Sequence, residues 1–171
     1  MSNAQCVMRN GNAEQVSEIS KAKNFTIATA ESCTGGLLAS RLTDFAGASN
    51  YFKGGVVAYC NEIKNKILCV NAETLEKFGA VSYQTALEMA TNVRGIFSTT
   101  IGLSTTGVAG PSSSEGKPVG TVFIAIVGEN FSEVKEFHFK GSRSEIKFQT
   151  ADEAFDILMR HVMFDETNLG K

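Results

Sequence analysis

Between Phe25 and Phe45 the chain changes its hydrophobic period once, across a short turn of small and polar residues, and no other stretch restricts the possible folds as much. Residues 25–30 form a short apolar run with β-branched members, as a strand would. Leu37, Leu38, Leu42 and Phe45 fall on one face of a helix expected from about Gly35 to Phe45. Glu31, Ser32, Cys33, Thr34, Gly35 and Gly36 lie at the junction. A strand that passes into a helix in this way is the repeating unit of α/β folds. The turn has two readings. Ser32 and Thr34 can cap the new helix, whose first N–H groups lack intrahelical partners, as in an ordinary βα turn. Alternatively, those N–H groups and the side-chain-free Gly35 and Gly36 admit an anion, a phosphate above all. The turn lacks both the lysine ending of a P-loop and the spacing of a dinucleotide fingerprint.

The remaining chain continues the alternation. Residues 13–23, with Val16, Ile19 and Ser20 at helical spacing, predict a first helix. Tyr51-Phe52 and residues 56–59 are strand material on either side of a Gly54-Gly55 break, and Asn61 is a candidate cap for a helix carrying Ile63, Ile67 and Leu68. Residues 71–78 predict a short helix stopped by Gly79. Ser82 opens a longer one with Ala86, Met89, Ala90, Val93 and Phe97 on one side. Residues 100–106 form a small-residue strand that empties into a glycine, serine and proline loop. Residues 119–127 are apolar almost throughout, as in a strand covered on both faces, and residues 133–140 alternate. Ile146 to Val162 mark a closing helix. The pattern predicts a single three-layer α/β/α domain with a mixed, mostly parallel sheet over residues 13–163. Residues 1–12 are expected to be disordered or tag-derived, with Ser2-Asn3-Ala4 as a cloning remnant, and residues 164–171 to form a tail. Ligands in such sheets bind at strand ends, where the glycine-rich turns fall.

With 171 residues, a formal charge of −2 and 20% charged residues, the chain has no basic excess to hold nucleic acid, and no stretch is long and apolar enough for a membrane span. A cytoplasmic location is expected. Cys6, Cys33, Cys60 and Cys69 show no CxxC spacing and have only two histidines beside them, which argues against a zinc site or a disulfide framework. No metal and no cofactor are expected. His138, between Phe137 and Phe139 on a strand, points to the solvated face, and His161 lies in the last helix, so a Ser-His-Asp triad is disfavoured. A hydroxyl would then be activated by a lysine made basic through desolvation or by a tyrosine relay. Ser49, Tyr59 and Lys64 cluster around one turn and could act so, although a helix lysine is commonly a solvated charge. Arg143, beside Gly141 and Ser142, is either a phosphate clamp or a surface residue.

Six motifs in order, TAESCTGG, GASNYFKGGVVAYCNEIK, GAVS, TTGVAGP, KPVGTVF and FKGSR, resemble the C-terminal domain of CinA, whose stand-alone form is nicotinamide-nucleotide amidase; the resemblance spans nearly the whole chain. It implies metal-free hydrolysis of the carboxamide of nicotinamide mononucleotide to nicotinate mononucleotide and ammonia, in pyridine-nucleotide salvage. It also implies Ser49 as nucleophile, Lys64 as base and Tyr59 as assisting tyrosine. Substrate-binding positions would be Glu31, Ser32, Thr34, Gly35, Gly36, Thr106, Gly107 and Arg143. The expected partner is the small-molecule substrate, with a homo-oligomeric assembly and no nucleic acid or membrane. One departure stands out: where the family carries a glycine pair after its AGP, this chain has Ser112, Ser113 and Ser114 before Glu115-Gly116. Serine takes positive φ less readily than glycine, which puts the loop's shape in question. A non-catalytic nucleotide-binding or regulatory domain is the alternative.

Overall fold

The computed structural model describes residues 11–164, so residues 1–10 of the expected N-terminal remnant and residues 165–171 of the expected tail lie outside the described residues, whereas Gly11, Asn12 and Phe164, assigned to those ends, fall in helices. In chain order the elements are α1 (Gly11–Lys23), β1 (Ile27–Glu31), α2 (Leu37–Leu42), a 3₁₀ turn (Ala48–Asn50), β2 (Phe52–Val57), α3 (Asn61–Lys66), α4 (Ala72–Phe78), α5 (Tyr83–Phe97), β3 (Ile101–Gly107), β4 (Thr121–Val127), β5 (Ser132–His138) and α6 (Arg143–Phe164). The five strands form one sheet in the order β2-β1-β3-β4-β5. One face carries α1, α2 and α6 over a core of Ile27, Leu38, Leu42, Leu103, Ile124, Phe155 and Leu158. The other carries α5 over Ala28, Ala30, Met89, Val93, Ala86, Ala90 and Ala125. Three layers result, as expected.

The sheet is evenly mixed rather than mostly parallel. β1 pairs in parallel with β2 and β3, whereas β3–β4 and β4–β5 are antiparallel. The connections explain the change: helical crossovers join the first three strands, but residues 108–120 return to β4 without a helix and residues 128–131 make a hairpin. β4, second from the edge, is buried at every position, which accounts for its unbroken apolar run.

Gly54 and Gly55 do not break the strand, because β2 runs through them. They allow close approach. A Cβ on Gly54 would clash with the Phe97 ring and one on Gly55 with Thr29 Oγ1. The α5 start matches its expected cap, Ser82, which accepts from the Thr85 N–H, while Asn71, expected as the first residue of the short helix, instead caps α4 and accepts from the Glu73 N–H. Asn61, in contrast, is already inside α3. Cys60 holds the cap position there and makes no side-chain cap bond.

Candidate active site

Strand direction gathers the helix starts at one edge of the sheet. β1, β2, β3 and β5 all point the same way, so α2, α3 and α6 begin where strands end, and α5, which leads back into β3, begins there too. Four positive dipole ends face this edge.

At the end of β1, Glu31 is 1% exposed and fills the helix start itself. Its carboxylate accepts from the N–H groups of Gly36 (2.9 Å), Leu38 (3.1 Å) and Ala39 (2.8 Å) and from the Thr34 hydroxyl (2.7 Å). The expected caps are thereby corrected. Gly36 occupies the cap position of α2 in a left-handed conformation, without a side-chain cap bond, and neither Ser32 nor Thr34 caps the helix. A buried carboxylate satisfies more orphan donors than a hydroxyl can, and it leaves the amides it holds closed to a phosphate. Because Thr34 spends its proton on Glu31, Thr105 Oγ1 is the donor in the 2.7 Å contact between the two threonines.

Ser32, the residue after Glu31, meets Lys64. The Lys64 side chain, at 2% exposure, donates from Nζ to Ser32 Oγ at 2.9 Å and to the Ala58 carbonyl at 3.0 Å. Burial holds the Lys64 pKa below its ordinary value, because the ammonium loses hydration, while the neighbouring Cys33, Cys60 and Glu115 partly offset the change. Burial also pushes the Cys33 thiol up to about 12, so it is un-ionised at neutral pH. The hydroxyl that this lysine meets within the chain is that of Ser32.

Ser49 does not reach this pair. It lies in the exposed 3₁₀ turn before β2, where Phe52 pairs with Ile27 at the start of β1, whereas Ser32 and Lys64 follow Glu31 and Val57 at the strands' other end. A six-residue strand, about 17 Å long, separates the two edges. The Ser49 carbonyl accepts from Lys53 Nζ at 3.0 Å. Nearness in sequence around a turn thus does not bring Ser49 to Lys64 within the chain.

Tyr59 and Arg143 meet at the edge that carries Ser32 and Lys64. Arg143, the first residue of α6, donates from Nη2 to the Tyr59 hydroxyl and from Nη1 to the Gly110 carbonyl, tying the β2–α3 and β3–β4 connections together. Thr106 is buried and donates to the Ala80 carbonyl at 2.6 Å, so its proton holds the start of α5 in place. A Cβ on Gly107 would meet Thr121 and Val122 of the paired strand, which marks that glycine as a packing position.

The serine run leaves the loop's shape intact, since the left-handed positions fall on Gly110, Glu115, Gly116 and Gly120 and on none of Ser112, Ser113 and Ser114. Glu115, at φ 53°, reaches across to accept from the N–H groups of Ala80 (3.0 Å) and Val81 (3.1 Å). Its anchoring role has no local signal in sequence. The histidines lie elsewhere: His138 sits 3.3 Å from Glu136, and His161 bonds Glu133 at 2.5 Å and stacks on Phe131. Among the described residues no group of three or more His, Cys, Asp or Glu could hold a metal ion, and no helix is long and apolar enough to cross a membrane.

A family model described as the CinA C-terminal domain matches residues 9–162. The chain belongs to this family. A relative from Acetivibrio thermocellus, named a competence-damage inducible protein, is 52% identical over 141 residues, covering 82% of this chain and 34% of its own length. The chain thus spans about a third of the curated relatives it matches. Among solved CinA-type structures, the competence damage-inducible protein A (ComA) of Klebsiella pneumoniae superposes with a TM-score of 0.88 at 31% identity, covering 91% of this chain and 97% of that one. The competence/damage inducible protein CihA of Agrobacterium tumefaciens gives 0.85 at 37% identity, with 88% and 93% covered. The family match takes in nearly all of the described chain, including the edge that carries Ser32 and Lys64.

Proposed function

We propose that the chain is a metal-free amidase that converts nicotinamide mononucleotide to nicotinate mononucleotide and ammonia in cytoplasmic pyridine-nucleotide salvage, with Ser32 as nucleophile and Lys64 as base. The observation that carries this is the 2.9 Å hydrogen bond between a buried lysine and a serine at the end of a strand. A lysine that only braced a fold would gain nothing from losing its hydration, whereas a base must be neutral to accept a proton.

In the reaction, Ser32 Oγ bonds to the carboxamide carbon as its proton passes to neutral Lys64 Nζ. The C=O π electrons move onto oxygen. The tetrahedral intermediate then collapses: the C–N bond breaks, Lys64 returns the proton to the departing nitrogen, and ammonia leaves an ester on Ser32. Water attacks that ester as Lys64 takes its proton; the C–Oγ bond then breaks, Lys64 returns the proton to Ser32 Oγ, and the released acid ionises to the carboxylate. The Ala58 carbonyl holds Nζ in line by accepting one of its N–H bonds. The Tyr59 hydroxyl, with Arg143 beside it, is set to assist at the mouth of the site.

The test is ammonia release from nicotinamide mononucleotide by the purified chain, with and without EDTA. Release in both conditions supports the proposal. No release, with the nucleotide bound unchanged, would return the chain to the non-catalytic binding alternative, and loss of release on chelation would overturn the metal-free route.

A further inference from the structure

Phosphate recognition is the part of this reading with no obvious residue. The α2 amides at Gly36, Leu38 and Ala39 are held by Glu31, and the Arg143 guanidinium is engaged by Gly110 and Tyr59. A phosphate monoester carries up to two negative charges and needs a cation elsewhere.

Lys147 lies four residues beyond Arg143 on α6, one turn along the same face. Its Nζ stands 3.7 Å from the point a Cβ on Gly35 would occupy, and no other non-neighbouring atom comes within 4 Å of that point. The space in front of Gly35 is therefore open and faced by an ammonium. Gly35 is left-handed, with φ of 62°, and its N–H donates to the Ser32 carbonyl at 3.2 Å, which keeps this space beside the proposed nucleophile. Among the described residues Lys147 makes no hydrogen bond or ion pair. A free ammonium on a flexible stem is well suited to a phosphate as a point charge.

We infer that Lys147 receives the substrate phosphate in front of Gly35, while Arg143 braces the walls of the site instead of gripping the phosphate. The inference rests on the amidase proposal for its ligand. The phosphate then lies on the α6 side of the turn and the carboxamide on the α3 side, with the ribose spanning the turn between them.

Binding separates this inference from turnover. In Ser32→Ala protein, which should leave the ligands intact, nicotinamide mononucleotide and nicotinamide riboside are titrated calorimetrically, and the titrations are repeated with Lys147→Ala, Lys147→Arg or Arg143→Ala added. The phosphorylated ligand should bind more tightly than the riboside. Lys147→Ala should remove roughly tenfold or more of that preference, the worth of about one charge-assisted contact, and leave riboside binding unchanged. Lys147→Arg should retain the preference. The inference is overturned if Lys147→Ala keeps the preference, if Arg143→Ala alone abolishes it, or if the parent protein shows no preference or does not bind the mononucleotide. Loss of the preference in Lys147→Ala, alongside a wild-type protein that releases no ammonia, would sink the amidase proposal and leave the phosphate site standing.

Discussion

Lys64 Nζ donates to Ser32 Oγ at 2.9 Å, joining the residue that follows β1 to the helix that follows its parallel neighbour β2. The bond lies at the sheet edge where strands end.

Lys64 has a pKa lowered by burial, and this has two consequences of known sign. The neutral base becomes more populated as pH rises through the lowered pKa, so kcat should climb through that value and level off below the usual lysine range. For stability, the unfolded chain binds the lysine proton more readily than the folded one between the lowered pKa and about 10.4, so wild-type stability should rise with pH in that window. Lys64→Met lacks the group. Urea unfolding should show the wild type gaining on the variant as pH rises through the window, by about 1.4 kcal/mol for each unit of lowering. A constant difference across pH would show that Lys64 titrates normally.

Glu31 organises the turn that presents Ser32. Glu31→Gln keeps one carbonyl oxygen but brings an amide N–H against donors that now point at an acceptor, in a buried setting. The expected loss is about 2–4 kcal/mol in urea unfolding, together with a fall in kcat as Ser32 is displaced. Glu31→Gln protein with wild-type stability would mean that the four hydrogen bonds to Glu31 do not hold the turn.

Glu115 anchors the serine-rich loop by accepting from Ala80 and Val81. Glu115→Ala should lower stability by only about 1–2 kcal/mol, because the side chain is exposed, but should make residues 110–118 more susceptible to limited proteolysis. Unchanged cleavage would show that the loop holds its place without this carboxylate.

How much of this was readable beforehand depended on whether the signal was local. The Ser82 cap, the buried run of β4 and the long last helix follow from propensity and period within a few residues, and they are found as expected. The antiparallel half of the sheet was hidden because a loop without a helix carries no mark of strand direction. The partner of Lys64 was obscured differently. Ser49 is fifteen residues from Lys64 and Ser32 is thirty-two, yet β2 carries the chain away from Ser49 and parallel pairing brings the end of β1 alongside. Topology could have found Ser32, since residues after adjacent parallel strands share an edge. Lys147 and Glu115 had no such clue. Each meets its counterpart through tertiary approach of α6 or a long loop.

The most direct measurement compares kcat for ammonia release from nicotinamide mononucleotide in Ser32→Ala and Ser49→Ala proteins, each checked for folding by circular dichroism. Ser32→Ala should lose on the order of 10³-fold or more, as removal of a nucleophile does, while Ser49→Ala stays within about threefold of wild type. A folded Ser32→Ala protein that keeps most of its activity, or a Ser49→Ala protein that loses it, would contradict the assignment of Ser32 and Lys64 as the reacting pair.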